Sequence, residues 1–299
     1  MQRVGQTPAY MTSDVSARQP EVDVIIPVYG ERDAALRETL TACSKQTYAI
    51  ANVFVVDDGS PEPVSLPNGI GSVKTRLMRL EQNQGISAAR NAGIGQSHAA
   101  MVACVNTEIL PAADWLRTCV EYLLSHPGVG ACYTRMVPSR PRRLLTQWRM
   151  RYLEARFGQQ SGPSLFAPGH AVVFRREALD RVGGYDVRYR IHDEDADICK
   201  RLRQAGWETH YVADSRVVSI QEDSLRQLTK KELRNTYWYG PGDSSIFRLH
   251  FDLTKWMLVR LFRDSVKLRP QLLPVDLTIW GNAMWIATWQ EVQHALRGR

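Results

Sequence analysis

Short apolar runs alternate with segments of helical spacing through the first third of the chain, and this alternation restricts the fold most. The candidate strands are Val22–Val28, Asn52–Asp57, Val73–Leu80 and Ala100–Val105, and the candidate helices are Ala34–Lys45 and Ile86–Ser97. Strands and helices that alternate at this spacing form βαβ units, which build a mostly parallel sheet covered by helices. The pattern therefore predicts an α/β fold with a Rossmann-like, mostly parallel central sheet and flanking helices. Its ligands are expected beyond the carboxyl ends of the strands.

Length and patterning divide the 299 residues into three predicted segments. Residues 1–20 are polar and show no apolar periodicity, so we predict a flexible N-terminal segment. Residues 21–224 carry the alternating pattern and are predicted to form the main domain. Residues 225–299 change to longer amphipathic stretches, which predict a helical C-terminal extension.

Composition argues against several classes of protein. The five cysteines have wide, irregular spacing and no Cys-x-x-Cys pair, so no zinc or redox motif is indicated and a reducing compartment fits. The first residues lack the apolar run of a signal peptide, so we expect a cytoplasmic location. The net charge of +7 favours anionic partners, but the basic segments contain no nucleic-acid-binding motif, so no nucleic acid partner is expected.

Polar motifs follow two of the predicted strands. Asp57-Asp58-Gly59-Ser60 suits a helix-capping turn as well as it suits recognition of N–H or hydroxyl donors by two carboxylates. In Asn83–Gly93, Gly85 precedes a helix of small residues, which lets the backbone approach a ligand closely. Arg90 in that helix is either a structural arginine or a ligand of a diphosphate or carboxylate group.

Four carboxylates lie within Asp193–Asp197, at the predicted start of a helix. Acidic residues at a helix N-terminus interact favourably with the helix dipole, which is one interpretation of the cluster. Four acids exceed that need, because like charges repel one another. The repulsion raises the pKa of a carboxyl group, as a general base requires. We therefore favour a catalytic role for the cluster.

Taken together, these motifs resemble those of the family 2 glycosyltransferases, which have a GT-A type fold. The matching segments are Val24–Glu31, Val55–Ser60, Asn83–Gly93, Arg175–Leu179, Gly183–Asp186 and Glu194-Asp195. They keep the family's order over about Val22–Ser224, so the resemblance is specific although each motif is short. It implies an inverting enzyme that moves a sugar from a nucleotide-sugar donor to an acceptor hydroxyl group.

The resemblance also implies roles for individual residues. The donor-binding residues would be Pro27, Tyr29, Glu31, Asp57, Asp58, Arg90 and Asn106. Asp195, with Glu194 beside it, would be the catalytic base that deprotonates the acceptor hydroxyl group, and the transition state would have oxocarbenium character. Residues 21–110 would then be the nucleotide-binding part and residues 111–224 the acceptor-binding, catalytic part.

At the metal position the chain departs from the family pattern. The family has Asp-x-Asp after its fourth strand, whereas this chain has Asn106-Thr107-Glu108, and the His that many members place near Ser219–Gln221 is absent. Hard cations accept both carbonyl and carboxylate oxygens, so we expect Glu108 to bind Mg²⁺ or Mn²⁺ together with the donor diphosphate. Two alternatives stay open: Arg and Lys side chains partly replace the ion, or the chain binds a sugar nucleotide without catalysis.

The residues beyond 225 bear on acceptor and location. The Gln-x-x-Arg-Trp signature of processive synthases is absent, so we expect single additions to a glycan or lipid-linked acceptor, in cell-surface glycan or glycolipid synthesis. Leu249–Phe262 is amphipathic, and Leu272–Val292 is interrupted by Pro274, Asp276 and Asn282, so a membrane-spanning helix is not predicted. The apolar faces favour core packing or a homodimer, with peripheral contact to the inner face of an anionic membrane as the second hypothesis.

Overall fold

The computed structural model describes residues 19–30, 32–71, 73–154, 159–191, 193–238, 246–266 and 269–297. Glu31, and residues 1–18 of the predicted flexible segment, lie outside the described residues. Within these ranges, none of the helices combines the length and the continuous hydrophobicity that crossing a bilayer requires. All five cysteines are buried and unpaired by disulfides.

The first third of the chain forms the predicted parallel sheet. The strands are β1 (Val22–Val28), β2 (Ile50–Asp57), β3 (Thr75–Arg79) and β4 (Met101–Val105), and the helices are α1 (Asp33–Ser44) and α2 (Ile86–Gln96). The four strands are parallel in the order β3-β2-β1-β4. Every residue of β1 and β4 is buried, because helices cover both faces of the sheet. Continuous apolar runs are the pattern expected for such strands.

The middle of the chain extends this sheet. It contributes β5 (Ile109–Pro111), α3 (Trp115–Ser125), β6 (Val129–Pro138), α4 (Leu144–Glu154), β7 (Gly162–Pro163), β8 (Ala171–Arg175), α5 (Arg176–Val182), α6 (Glu194–Gln204) and β9 (Glu208–Ser219). The strand β8 is antiparallel to both β4 and β6, while β6 and β9 are parallel. Six of the nine strands in the described ranges run in one direction, which confirms the mostly parallel α/β sheet.

Two apolar layers hold the helices against the sheet. One layer packs α1 and α3 through residues such as Leu36, Leu116 and Leu123. The other packs α2, α5 and α6 through residues such as Ile94, Leu179 and Leu202. As a result, α2 begins beside the carboxyl ends of β1 and β2, where parallel sheets bind ligands.

The C-terminal region is helical, as predicted. It contains α7 (Leu225–Trp238), α8 (Ile246–Val266), a 3₁₀ turn (Pro270–Leu272) and α9 (Leu273–Arg297). The helix α9 includes Pro274, because proline is tolerated in the first turn of a helix, where backbone N–H groups have no partner within the helix. Trp148 of α4 donates to the buried Asp276 of α9 over 2.8 Å. This bond and the apolar cluster around it attach α9 to the main domain.

Candidate active site

A cleft of about 500 Å³ opens at the carboxyl ends of β1 and β4, beside the start of α2. Its volume lies within the range of small-molecule sites, about 300–1,000 Å³. Five predicted site residues line it: Pro27, Tyr29, Asp58, Asn106 and Glu108. Arg32, Asn83, Gly85, Arg190 and Ile191 complete much of its wall. The structure therefore gathers most of the predicted donor residues and the predicted metal residue around one cavity.

Asp58 shapes this cleft through the loop before α2. Its two carboxylate oxygens accept hydrogen bonds from the backbone N–H groups of Gln84 and Gly85, each over 2.8 Å. Gly85 has a φ of +97°, and a Cβ atom there would lie 2.4 Å from the carbonyl oxygen of Arg190. Glycine is required at this position by both the backbone conformation and the close approach. The Asp-Asp-Gly-Ser motif and the segment beginning at Asn83 thus form one wall.

Asp57 is not among the residues that line the cleft. Its buried carboxylate accepts hydrogen bonds from the backbone N–H groups of Ser60 and Val64, over 2.9 and 3.3 Å, and pairs with Arg79. Burial alone would raise the pKa of Asp57, but the hydrogen bonds from Ser60, Val64 and Arg79 outweigh it and hold the pKa below its ordinary value. Asp57 therefore fixes the loop that follows β2, and its predicted donor contact stays a prediction.

Arg90 lies in the interior, with its side chain fully buried. It donates to Glu194 over 2.9 Å, to the amide oxygen of Asn106 over 2.9 Å and to the carbonyl oxygen of Gly169 over 2.5 Å. Its guanidinium group also lies 4.9 Å from the ring centroid of Tyr185. Arg90 therefore connects the loop after β4 with the start of α6, and it does not line the cleft.

Glu194 and Asp195 begin α6, directly after Asp193, whose φ is +66°. Burial raises the pKa of Glu194; Arg90 opposes this, and the neighbouring charge of Asp195 adds to it. Asp195 is half-buried, and its carboxylate accepts hydrogen bonds from the N–H groups of Gly169 and Ala196 over 3.0 and 2.8 Å. Gly169 thus contacts both the predicted base and Arg90.

The side-chain oxygen atoms at the predicted metal position are paired with arginine side chains. Glu108, with a φ of +72°, pairs its carboxylate with Arg32, while the amide oxygen of Asn106 accepts from Arg90. Among the described residues, no three His, Cys, Asp or Glu side chains gather where a metal ion could bind. With both potential oxygen ligands paired to guanidinium groups, this arrangement does not fit a metal centre as it stands. Metal binding at Glu108 stays a prediction.

Several site residues were not predicted from the sequence. Arg32 and Arg190 line the cleft, and Gly169 and Tyr185 hold Arg90. Arg32 directly follows the opening motif Val24–Glu31, and this position next to a recognised motif is the sequence signal that points to it. Arg190 lies between two recognised motifs but in a segment without periodicity. The contacts of Gly169 depend on residues 26 and 79 positions away, so no local pattern indicates them.

Solved structures with the same architecture define the class of fold. The chain matches a mannosyltransferase from Pyrobaculum calidifontis, solved with GDP-Man and Mn²⁺, at 20% identity and a TM-score of 0.55, over 94% of this chain and 81% of that chain. It also matches GalNAc-T7, solved with UDP, GalNAc and Mn²⁺, at 17% identity and a TM-score of 0.55, over 85% of this chain and 59% of that chain. These matches confirm the predicted GT-A type fold.

The sequence comparisons then identify the family. The model of glycosyl transferase family 2 matches residues 23–183, more than half of the chain, and the chain belongs to this family. It is 28% identical over 251 residues to a pre-mycofactocin glycosyltransferase of Mycobacterium tuberculosis, covering 80% of this chain and 50% of that protein. It is 30% identical over 237 residues to an N-acetylglucosaminyltransferase of Bradyrhizobium diazoefficiens, covering 72% of this chain and 48% of that protein. The chain thus spans about half the length of these relatives.

Proposed function

We propose that the chain is an inverting glycosyltransferase whose cleft beside Asp58 binds a nucleotide-sugar donor and whose catalytic base is Asp195. The observation that carries the proposal is the position of Arg90. Its guanidinium group bonds both Asn106, at the wall of the cleft, and Glu194, at the start of α6. One buried side chain therefore connects the donor cleft with the start of α6, and its third partner, Gly169, donates to the predicted base Asp195. Membership of glycosyl transferase family 2 supports the reaction class.

The proposed reaction is a single displacement at the anomeric carbon. Asp195 takes the proton of the acceptor hydroxyl group, and the acceptor oxygen forms a bond to the anomeric carbon. The bond from that carbon to the diphosphate oxygen breaks at the same time, and the diphosphate leaves with the electron pair. Attack from the opposite side inverts the configuration. The N–H groups of Gly169 and Ala196 orient the Asp195 carboxylate for the proton transfer.

The departing diphosphate needs nearby positive charge. The mannosyltransferase and GalNAc-T7 structures contain Mn²⁺, and the sequence of this chain predicts Mg²⁺ or Mn²⁺ at Glu108. In this chain, however, Arg32 pairs with the Glu108 carboxylate. Variants of Arg32 and Glu108 therefore test whether the positive charge comes from a metal ion or from the guanidinium group of Arg32.

The proposal extends to the acceptor and to the C-terminal helices. We place the chain on the cytoplasmic side of a membrane, adding a sugar to a glycan or lipid-linked acceptor in cell-surface glycan or glycolipid synthesis. Exposed aromatic side chains on α8 and α9, including Phe262 and Trp285, support peripheral membrane contact. A homodimer through the same helices is the competing arrangement.

A second candidate function is binding of a sugar nucleotide without catalysis. It is favoured by one specific observation: the family's Asp-x-Asp is replaced by Asn106-Thr107-Glu108, and both of its remaining oxygen ligands are paired with arginine. This candidate predicts saturable binding of a nucleoside diphosphate and no turnover with any acceptor.

Replacement of the base tests the proposal. We expect Asp195→Asn to lower donor hydrolysis or sugar transfer by about 10²- to 10⁴-fold, the usual contribution of a general base. Nucleoside diphosphate binding, measured by calorimetry, should change little, because Asp195 does not line the cleft. The matched control is Asp197→Asn in the same acidic cluster, whose carboxylate pairs with Arg201 over 2.7 Å. Normal turnover by Asp195→Asn would exclude Asp195 as the base. If the wild-type chain binds a nucleoside diphosphate but turns over no donor, the second candidate is favoured.

A further inference from the structure

Two arginines that no motif assigns line the proposed donor cleft. Arg32 extends from the loop after β1 and pairs with Glu108, and 43% of its side chain is exposed. Arg190 is exposed in the segment before α6, where its Nη2 atom donates to the carbonyl oxygen of Asn83 over 2.6 Å. Both side chains belong to the same cavity as Asp58 and Asn106. The cavity therefore contains two guanidinium groups that solvent, and hence a ligand, can reach.

The acidic groups of this cavity are already engaged. Asp58 accepts two backbone hydrogen bonds, from Gln84 and Gly85, and these fix its carboxylate in the wall. Glu108 faces Arg32, and Asn106, which carries no charge, accepts from Arg90. Where the family has a pair of carboxylates for a cation, this chain therefore presents one carboxylate that is paired with a cation of its own.

The chemistry of guanidinium suits a diphosphate. Arginine presents a planar fork of N–H donors that matches phosphate oxygens in a bidentate manner. The Arg32–Glu108 pair is partly exposed, and solvent-exposed ion pairs are held weakly, so Arg32 can exchange Glu108 for a ligand phosphate. Arg190 is anchored to the carbonyl oxygen of Asn83 beside the start of α2, which keeps its guanidinium group at the wall of the cleft.

We propose that Arg32 and Arg190 bind the donor diphosphate, and that Arg32 takes the place of the divalent cation in donor binding. The inference rests on the proposed function, since it assumes a nucleoside diphosphate in this cleft. It selects one of the alternatives that the Asn106-Thr107-Glu108 sequence leaves open. Glu108 then acts as the resting partner of Arg32 and does not need to bind a metal ion.

Calorimetric titration with UDP, GDP, CDP, ADP and dTDP, in EDTA and in Mn²⁺, tests this inference. The wild type should bind one of these in EDTA, with little gain from Mn²⁺. Arg32→Ala and Arg190→Ala should each weaken binding in EDTA by about 10- to 100-fold, the range for a hydrogen bond to a charged group. Binding of the corresponding nucleoside should change little. Arg188→Ala is the matched control, because Arg188 is exposed two positions from Arg190 and pairs with Asp186 outside the cleft.

The variant Glu108→Gln distinguishes most sharply between a diphosphate bound by Arg32 and a diphosphate bound through a metal ion at Glu108. If Arg32 binds the diphosphate, this variant binds as tightly as the wild type in EDTA, or more tightly, because Arg32 loses its competing partner. If Glu108 binds a metal ion, the same variant weakens binding in Mn²⁺. Wild-type binding that requires Mn²⁺, or an Arg32→Ala variant that binds normally in EDTA, would overturn the inference alone. Absence of binding to every diphosphate under both conditions would remove the proposed function as well.

Discussion

Arg90 carries a charge in the interior, where an ion is tolerated only if it is paired and hydrogen-bonded. Its two Nη atoms meet that requirement through bonds to Glu194, Asn106 and Gly169, and the ring of Tyr185 covers the guanidinium group. The buried Arg90–Glu194 pair therefore positions the loop after β4 relative to the start of α6. Its contribution to stability appears when one partner is removed, because the other charge is left buried alone.

Removal of the Arg90 charge should destabilise the fold strongly. We expect Arg90→Met to lower the free energy of unfolding by about 3–5 kcal/mol, as for other broken buried ion pairs. Urea denaturation measures this change. The double variant Arg90→Met/Glu194→Gln should recover part of it, because Glu194 is then no longer a charge without a partner. Arg188→Met, in an exposed pair with Asp186, is the control and should change little. If Arg90→Met and Arg188→Met lowered the free energy of unfolding equally, the role given to Arg90 would be contradicted.

Asp57 gives a pH dependence with a definite sign. Its pKa is lower in the folded chain than its ordinary value, so its contribution to stability is present above about pH 4 and is lost as the pH falls through the folded pKa. In Asp57→Asn this contribution is absent at every pH. We therefore expect the stability difference between wild type and variant to be largest near neutral pH and to shrink in acid. Parallel stability curves from urea denaturation across this range would refute the assignment.

At the level of elements, the junction of α2 with the segment around Arg190 depends on Gly85. We expect Gly85→Ala to destabilise the chain by about 1–3 kcal/mol, because the new Cβ meets the Arg190 carbonyl oxygen and the residue is held at positive φ. Gly95→Ala lies within α2, where the added Cβ would project into open space, and should stabilise the chain by about 0.5–1 kcal/mol. Thermal unfolding of both variants measures the opposite signs. A Gly85→Ala variant as stable as the wild type would show that the loop moves freely.

The most deeply buried strands are the ones that sequence patterning predicted most directly. The strands β1, β2 and β4 are continuous apolar runs because both faces of the sheet are covered, and such runs are visible in a single sequence. The strands β5 and β7 have three and two residues, too few to show a period of two, so they were not predicted.

The parts of the site that the sequence could predict are those carried by local motifs. Asp58, Asn106 and Glu108 end or follow strands, so parallel topology alone brings them to one edge. The pairing of Arg32 with Glu108 joins positions 76 residues apart, and that of Arg90 with Glu194 joins positions 104 residues apart. Such contacts depend on how loops pack across the sheet, which periodicity and turn chemistry do not encode.

Over the whole molecule, the net positive charge is concentrated in the C-terminal region. Residues 225–299 contain 12 Lys and Arg against 6 Asp and Glu, a net charge of +6 in a chain whose total is +7. The same region exposes large apolar side chains on α8 and α9. They include Phe251, Trp256, Phe262, Trp285 and Trp289, which are 50–75% exposed. Positive charge combined with exposed aromatic side chains matches the interface of an anionic bilayer better than it matches a neutral protein surface.

We therefore expect the full chain to float with vesicles that contain phosphatidylglycerol, and to float less as salt is raised, since salt screens the attraction. Trp285→Ser/Trp289→Ser should reduce flotation, because these stacked rings present an uncharged exposed face of α9. Leu165→Ser is the control, because it removes a side chain that is 78% exposed but belongs to the α/β domain. Equal flotation of wild type and the double tryptophan variant would exclude this surface as the membrane contact. If that variant instead reduced a concentration-dependent molecular mass measured by light scattering, α9 would be the contact of a homodimer.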